Sequence, residues 1–193
     1  MISSILVANR GEIAVRVVRA CREMGIRSVV AYSEADRHSL AVRLADEAVC
    51  IGPPAAAESY LNIPNIVSAA IVRHCDAVHP GVGFLSENAR FAREVTDAGL
   101  IFIGPPGDTI ALLGDKVQAK RTAIKNDVPV IPGSSAGVAE IEDARTAAAE
   151  IGYPVIVKAA AGGGGKGMRI CRRDADLGGI LQLASTEAEK AFS

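Results

Sequence analysis

A glycine run flanked by lysines is the strongest chemical signal in this sequence. Lys158 ends an apolar segment, glycines follow at residues 162–165, and Lys166 and Gly167 come next. Glycine allows main-chain N–H groups to approach phosphate oxygens closely, and lysine offsets phosphate charge. A lysine at the end of an apolar strand is costly without a partner, and a nucleotide phosphate would be such a partner. The run therefore predicts a nucleotide-phosphate loop.

Two well-known phosphate loops do not fit this run. A Walker A loop needs glycine five residues before its Gly-Lys pair and a hydroxyl residue after the lysine, but Ala160 and Gly167 hold those positions here. A dinucleotide-binding loop opens directly into a helix, whereas residues 168–171 have the pattern of a strand. A strand–loop–strand flap that closes over a triphosphate fits better. The alternative without function is a flexible hairpin or linker.

The first half of the chain alternates between strand and helix patterns, which predicts an α/β fold with a parallel sheet and helices on both faces. In such sheets ligands collect where loops leave the carboxyl ends of the strands. We expect those loops at residues 9–12, 33–38 and 79–88. The predicted strands are 5–8, 28–32, 48–50, 76–79 and 100–103, and the predicted helices are 12–24, 63–74 and 87–98.

A Gly-Pro-Pro-Gly segment at residues 104–107 interrupts this alternation and predicts a boundary. Asp115 then predicts a helix cap, with Gln118 placed to complete a capping box. We expect two modules, residues 1–113 and 114–193. In the second module the predicted helices are 116–126, 141–151 and 174–192, and the predicted strands are 128–131, 153–159 and 167–171.

Composition excludes several classes of protein. Hydrophobic residues make up 49% of the chain, which is enough for a packed core. The 21 basic residues balance 22 acidic ones, so we expect neither a nucleic-acid nor a membrane partner. The 4 cysteines form no CxxC pair, so we expect them to be reduced, packed in the core and in a cytoplasmic protein. No set of His, Cys and Asp has metal-ligand spacing.

Seven segments, collinear across essentially the whole chain, resemble the amino-terminal part of biotin carboxylase, an ATP-grasp enzyme family. Any one of them would be weak, but together they are specific. The segments are LVANRGEIAVR at residues 6–16, VRLADEAV at 42–49, ESYLNI at 58–63, HPGVGFLSEN at 79–88, IFIGP at 101–105, GDK at 114–116 and the glycine run at 158–168.

The resemblance implies a Rossmann-like sheet domain over residues 1–113 and, over 114–193, the start of an ATP-grasp domain with its lid. In the family, residues matching the two lysines and the glycine loop contact the nucleotide, and the residue matching Met168 lies close to it. Lys166 stands where the family often has arginine. The implied nucleotide-binding residues are Lys116, Lys158, Gly162, Gly163, Gly164, Gly165, Lys166, Gly167 and Met168.

The reaction that the resemblance implies has two stages. ATP with Mg²⁺ or Mn²⁺ phosphorylates bicarbonate, and the resulting carboxyphosphate delivers CO₂ to biotin on a biotin carboxyl carrier protein. Carboxyltransferase subunits are the further partners, as in acetyl-CoA carboxylase and fatty acid biosynthesis. The alternatives are the biotin carboxylase domain of pyruvate, propionyl-CoA or urea carboxylase, another ATP-grasp ligase that uses a carboxylate, and a non-catalytic nucleotide-binding or assembly module. Segment 79–88 disfavours the other ligases.

The loop that the resemblance places at the biotin end of the site carries one departure from the family: Val82 stands where a tyrosine is usual. For His79 a packed histidine that shapes the loop is favoured over a catalytic one. Glu87 and Asn88 either face the cleft or cap the next helix. The residues implied in this substrate loop are His79, Gly81, Val82, Gly83, Glu87 and Asn88.

Arg16 and Arg19 follow one exposed face of the first helix. Their alternatives are a solvated face or, by resemblance, the homodimer interface of the full-length enzyme. The chain stops at Ser193 without a sign of a natural terminus. The resemblance places the catalytic and metal-binding residues beyond that point, so we expect this chain alone to be inactive.

Overall fold

The computed structural model describes residues 2–134, 138, 140–158 and 168–192, with side chains described as far as residue 186. The chain divides into two compact units, Met1–Leu112 and Leu113–Ser193. Each unit has its own hydrophobic core.

The first unit contains a five-stranded parallel sheet with the strand order β3-β2-β1-β4-β5. This order matches the first five strands of the Rossmann order 3-2-1-4-5-6. It confirms the predicted parallel α/β architecture and places β1 at the centre. The strands are β1 Ser4–Val7, β2 Arg27–Ser33, β3 Glu47–Gly52, β4 Ala77–His79 and β5 Ile101–Phe102.

Helices of the first unit connect these strands, as the βαβ pattern predicts. Three of them, α1, α3 and α4, confirm sequence predictions to within a few residues, whereas α2 and α5 were not predicted. Two single 3₁₀ turns, Glu34–Asp36 and Ala56–Glu58, follow β2 and β3. The helices are α1 Gly11–Glu23, α2 Leu40–Leu44, α3 Ile63–Val72, α4 Ala89–Asp97 and α5 Gly107–Gly114.

Both faces of the sheet are covered, because successive side chains of a strand point to opposite faces. On one face, Leu6 of β1 belongs to a cluster with Ile66 of α3 and Phe91 of α4. On the other face, Val7 of β1 belongs to a cluster with Val18 of α1. The central strand is buried along its whole length, so it reads as an uninterrupted apolar run rather than an alternating one.

Two aspartates fasten the amino ends of the strands by the same device. Asp76 precedes β4, and its carboxylate accepts hydrogen bonds from the N–H and hydroxyl groups of both Ser3 and Ser4 at 2.7–3.0 Å. Asp46 precedes β3 and accepts both bonds of Ser28 at 2.8 Å. These bonds lower the pKa of Asp76 to about 2 and lower that of Asp46 as well. At the amino edge of the sheet, Asp46 thereby ties β3 to β2 and Asp76 ties β4 to β1.

The second unit is built on an antiparallel strand pair that packs against helices. Its core is small and contains Ala144, Ala148, Cys171 and Leu177. Asp115 caps the first helix as predicted, since its carboxylate accepts the N–H groups of Val117 and Gln118 at 2.9 and 2.8 Å. The elements are α6 Lys116–Lys125, α7 Ile141–Ile151, β6 Val155–Lys158, β7 Met168–Cys171 and α8 Asp174–Phe192.

The predicted strand at residues 128–131 is wrong. The segment is irregular, and its apolar side chains are exposed. Pro129 has no N–H group to donate to a neighbouring strand, and Pro132, directly after the segment, has none either.

The expectation that all four cysteines lie in the core is wrong for Cys50. Cys21, Cys75 and Cys171 are buried, but Cys50 is exposed on β3, which is an edge strand of the sheet. All four are free thiols. None of the described helices is long and apolar enough to cross a lipid bilayer.

Candidate functional site

The loop at residues 79–88 leaves the carboxyl end of β4 and is held by the residue that follows β1. Asn9 is buried, and its side-chain N–H groups donate to the carbonyl oxygens of Pro80 and Val82 at 2.8 and 3.0 Å. Its side-chain oxygen accepts the N–H of Arg10 at 2.8 Å, which fixes the orientation of the amide. Two loops that the sequence places at the carboxyl edge are thus joined by direct hydrogen bonds.

His79 shapes this loop from within. Its Nδ1 accepts the main-chain N–H of Gly81 at 3.0 Å. Partial burial lowers its pKa, so the neutral ring with its proton on Nε2 is favoured. The prediction of a hydrogen-bonded, loop-shaping histidine is confirmed.

The remaining substrate-loop residues separate into structural and exposed ones. Gly81 has a φ of +70°, and a Cβ there would lie 2.5 Å from the Asn9 side-chain nitrogen. Asn88 caps α4, since its side-chain oxygen accepts the N–H of Phe91 at 2.9 Å. Gly83, Val82 and Glu87 are exposed, and the side chain of Val82 is 70% accessible. The exposed groups of this loop are therefore accessible to a ligand. Of the two alternatives for Asn88, facing a cleft or capping the next helix, the structure shows the cap.

A cluster that sequence analysis missed lies beside the same loop. Phe84 stacks on Tyr60 with ring centroids 5.0 Å apart. The Arg10 guanidinium lies 5.9 and 5.8 Å from these two ring centres and 3.6 Å from the carboxylate of Asp36. The Tyr60 hydroxyl donates to Asp36 at 2.8 Å and accepts the N–H of Ser33 at 3.0 Å. Burial raises the pKa of Tyr60 to about 12, so the hydroxyl keeps its proton.

One signal in the sequence could have found this cluster. Arg10, Asp36 and Phe84 all belong to loops that the strand pattern places at the carboxyl edge. Tyr60 reaches them from the connection after β3. Aromatic residues make up only 4% of the chain, so an aromatic pair in two such loops was a candidate for contact.

The β6–β7 pair carries two of the predicted nucleotide-binding residues on one face. The strands are antiparallel, with Lys158 opposite Met168 and Ile156 opposite Ile170. All four side chains are exposed. Because side chains two positions apart share a face, these residues form a single surface, here named the hairpin face. Val155 and Val157 point to the opposite side, into the core of the unit.

The exposure of Lys158 corrects one step of the sequence argument. Lys158 is exposed on the hairpin face, so its charge needs no partner to offset a burial cost. The other prediction for this segment is confirmed, since a strand, β7, follows the glycine run and no helix opens there. Gly162, Gly163, Gly164, Gly165, Lys166 and Gly167 lie outside the described residues. Lys116 is exposed at the first position of α6, in the same unit as Lys158.

Arg16 and Arg19 lie on the exposed side of α1, where they line a surface groove of about 920 Å³. The opposite wall comes from the start of α2 and includes Leu40, an exposed apolar residue. Glu12 and Glu23 supply negative charge in the same groove. The described residues contain no group of three or more His, Cys, Asp or Glu side chains placed to hold a metal ion.

Two family models match the chain. The biotin carboxylase N-terminal domain matches residues 1–110, and the ATP-binding domain of the carbamoyl-phosphate synthase L chain matches residues 115–193. Among curated relatives, biotin carboxylase 1 of Bacillus subtilis is 51% identical over 192 residues, which is 100% of this chain and 43% of that protein.

Solved structures give the same result. A biotin carboxylase complex with β-γ-ATP from Campylobacter jejuni superposes with a TM-score of 0.92 at 48% identity, over 100% of this chain and 43% of that one. The biotin carboxylase domain dimer of a Hydrogenobacter thermophilus 2-oxoglutarate carboxylase, with MgADP, ADP and bicarbonate, has a TM-score of 0.90 at 47% identity, over 100% and 42%. The chain thus spans less than half the length of the proteins it matches.

Proposed function

Because this chain belongs to the biotin carboxylase family, we propose that it forms the amino-terminal part of a ligase that uses ATP and bicarbonate to carboxylate biotin on a biotin carboxyl carrier protein. The observation that carries the proposal is the hairpin face, where Lys158 and Met168 are cross-strand partners. It supplies one positive charge beside an apolar surface, which is what a nucleotide requires.

The hairpin face fits a nucleotide by its chemistry. Ile156, Ile170 and Met168 expose apolar surface that suits the flat face of a purine, while the Lys158 ammonium suits phosphate oxygens. A related structure holds β-γ-ATP, which supports this assignment. We propose Lys116, Lys166 and the glycines at 162–165 and 167 as the further contacts to the phosphates, because main-chain N–H groups and lysines together favour negative charge.

In the reaction, these residues bind and orient the substrates and form no covalent bond with them. Lys158 would offset charge on the phosphoryl group as it passes from ATP to bicarbonate, and such preplaced charge lowers the barrier to transfer. Magnesium or manganese would supply positive charge that offsets the charge of the phosphates during transfer. We assign its ligands and the catalytic residues to the part of the enzyme that the relatives have and this chain does not span.

We assign the biotin end of the site to the loop at residues 79–88. Its conformation is fixed by Asn9 and His79, and its exposed groups are Val82, Gly83 and Glu87. Val82 offers an aliphatic side chain where the family usually has a tyrosine, so this position would contact biotin through apolar surface alone.

We propose a homodimer through the groove lined by Arg16 and Arg19, in line with the dimer described for the Hydrogenobacter thermophilus domain. Groups of both signs line that groove, which suits a surface that pairs with a copy of itself. Carboxyltransferase subunits, in the manner of acetyl-CoA carboxylase, are the proposed further partners. The free thiols favour a cytoplasmic location.

A chimera tests the proposal directly. This chain would replace the matching amino-terminal residues of Bacillus subtilis biotin carboxylase 1, and biotin-dependent ATP hydrolysis would be measured. We expect the chimera to be active and the 193-residue chain alone to show no biotin-dependent turnover. Lys158→Ala should lower kcat/KM for ATP by about 100-fold, because a charge on the transferring phosphoryl group is lost.

Lys125→Ala is the matched control, since it removes an exposed lysine that belongs to α6 and not to the hairpin face. It should leave turnover unchanged. A folded chimera without activity would overturn the enzyme assignment. If the chain alone then bound ATP, the non-catalytic nucleotide-binding module would replace it.

A further inference from the structure

The loop at residues 79–88 contains a residue in a disfavoured conformation. Phe84 has a φ of +46°, in the left-handed region where a Cβ is crowded by the main chain. Such a conformation persists where neighbouring groups hold it in place. The adjacent Leu85 is buried in the core of the sheet unit, and the Phe84 ring packs against the same cluster, of which Tyr60 is a member.

Tyr60 fixes the phenyl ring from one side. The two rings are stacked, with an angle of 15° between their planes, and Tyr60 is 1% exposed. Its hydroxyl makes two hydrogen bonds, since it donates to Asp36 and accepts from the N–H of Ser33. Asp36 is itself oriented, since it also accepts the Ser33 hydroxyl at 3.0 Å. The tyrosine ring thus has one position, set by the loop that follows β2.

Arg10 closes the cluster from solvent. Its guanidinium lies within cation–π distance of both rings and close to the carboxylate of Asp36. It follows Asn9, the residue that binds the carbonyl groups of the same loop. Arg10 therefore connects the rings to the one carboxylate of the cluster, and it does so from the end of the central strand.

We propose that Arg10, Asp36 and Tyr60 form a positioning network that holds Phe84, and through it the loop at residues 79–88, in a single preformed conformation at the biotin end of the site. The role at the site rests on the proposed function. Together with Phe84, the network has one residue in the connection after each of four adjacent strands, β1 to β4, so the loop is fixed relative to the sheet before any ligand binds. These residues act through the loop and are not catalytic.

Hydrogen exchange in the 193-residue chain tests whether the network holds the loop. The amides of Ser86 and Asn88 bond to carbonyl groups within the loop, and their exchange rates report its opening. Tyr60→Phe removes the hydroxyl and keeps the ring, and it should raise these rates by about tenfold, the factor given by about 1.4 kcal/mol for a lost buried hydrogen bond. Tyr32→Phe is the matched control, because it removes a hydroxyl outside the network.

Arg10→Ala provides a second variant that leaves the buried core untouched, since the arginine side chain is 55% exposed. It should accelerate the same amides, and Arg10→Lys should restore part of the protection because it keeps the positive charge beside the rings. Unchanged exchange rates at Ser86 and Asn88 in both Tyr60→Phe and Arg10→Ala would overturn the network.

Kinetics of the chimera separate positioning from general stability. Tyr60→Phe and Arg10→Ala should each raise KM for free biotin about fivefold or more, as expected for a loop that is less often in its binding conformation, with KM for ATP unchanged. Faster exchange with an unchanged KM for biotin would overturn the role at the site. Equal changes in both KM values would do the same. An unmutated chimera that folds but lacks activity would instead defeat the proposed function, and the exchange rates would still decide the network.

Discussion

The side-chain amide of Asn9 donates a 3.0 Å hydrogen bond to the main-chain carbonyl of Val82, across 73 positions of sequence. The bond joins the segment that follows the central strand to the exposed position 82 of the loop at residues 79–88. Asn9 thus binds the main chain of this loop, and the side chain at position 82 is free to vary without disturbing the bond.

Substitution of Gly81 tests this contact. Gly81 and Gly83 both have positive φ values, +70° and +74°, but a Cβ at 81 would collide with Asn9, whereas one at 83 meets nothing within 4 Å. Gly83→Ala should cost about 1–2 kcal/mol of folding free energy from backbone strain alone. Gly81→Ala should cost about 3–4 kcal/mol, because the collision adds to the strain. Chemical denaturation measures both costs, and equal values would contradict the close contact between Gly81 and the Asn9 side chain.

Protonation of His79 should loosen the loop. Its folded pKa is depressed by burial, so the unfolded chain takes up the proton first as the pH falls. The stabilisation is present above the ordinary value of 6.5 and is lost below it. An NMR titration should give a midpoint for His79 below 6.5, with the Gly81 amide shifting at the same pH because its acceptor is Nδ1. A midpoint at or above 6.5 would refute this.

Asp76 should confer resistance to acid. Its folded pKa of about 2 lies below the ordinary 3.8, so its contribution is complete above about pH 4 and disappears as the pH falls toward 2. Asp76→Asn should lower the midpoint of thermal unfolding at pH 7 and reduce its decline between pH 5 and pH 2, measured by circular dichroism. Asp97→Asn, at the exposed end of α4, is the control and should leave the pH profile unchanged.

The two sides of β6 should respond differently to the same substitution. Ile156→Thr changes an exposed side chain and should alter local stability by less than about 0.5 kcal/mol. Val157→Thr places a hydroxyl against the core of the second unit and should cost about 1–2 kcal/mol. Hydrogen exchange of the β6 and β7 amides in the whole chain measures both effects. In the chimera, Ile156→Thr should weaken ATP binding while the β6 and β7 amides stay protected from exchange, whereas Val157→Thr should lower that protection. Similar protection from exchange in the two variants would contradict the strand orientation.

Charge reversal at Arg16 tests the proposed dimer. Arg16→Glu adds a third carboxylate to a groove that already contains Glu12 and Glu23, and like charges brought together in an interface are repelled. The chimera should shift from dimer to monomer in sedimentation velocity. Arg43→Glu, an exposed reversal on α2 outside the groove lining, should leave it dimeric. A dimeric Arg16→Glu chimera would exclude this surface.

Sequence periodicity was sufficient for the elements that bury a continuous face. The strand β1 and the helices α1 and α4 were predicted because each presents a long apolar stripe to the sheet. Short elements carry no such signal. The five residues of α2 are too few for a helical period, and the Gly-Pro-Pro-Gly segment obscured the start of α5 at Gly107.

The candidate site likewise has parts that the sequence predicts and parts that it does not. Loops at the carboxyl edge follow from the order of strands and helices, so residues 9–12, 33–38 and 79–88 could be grouped in advance. The same argument brings the loops of Arg10 and Phe84 to one edge, but the contacts within the Arg10–Tyr60–Phe84 cluster could not be predicted, because the direction of each side chain depends on turn geometry such as the positive φ of Phe84. Likewise, the strand pattern located Lys158, but only the register with Met168 assigns it to an exposed face.

The carboxylates of Asp76 and Asp46 fasten the amino edge of the sheet, at the opposite ends of the strands from the loops proposed for the substrate. Strand register therefore does not depend on the residues that would meet a ligand. A substitution at Val82, or elsewhere in the exposed part of this loop, can therefore change what the loop offers a ligand while the scaffold retains its alignment. The sheet and the loop can vary independently of each other.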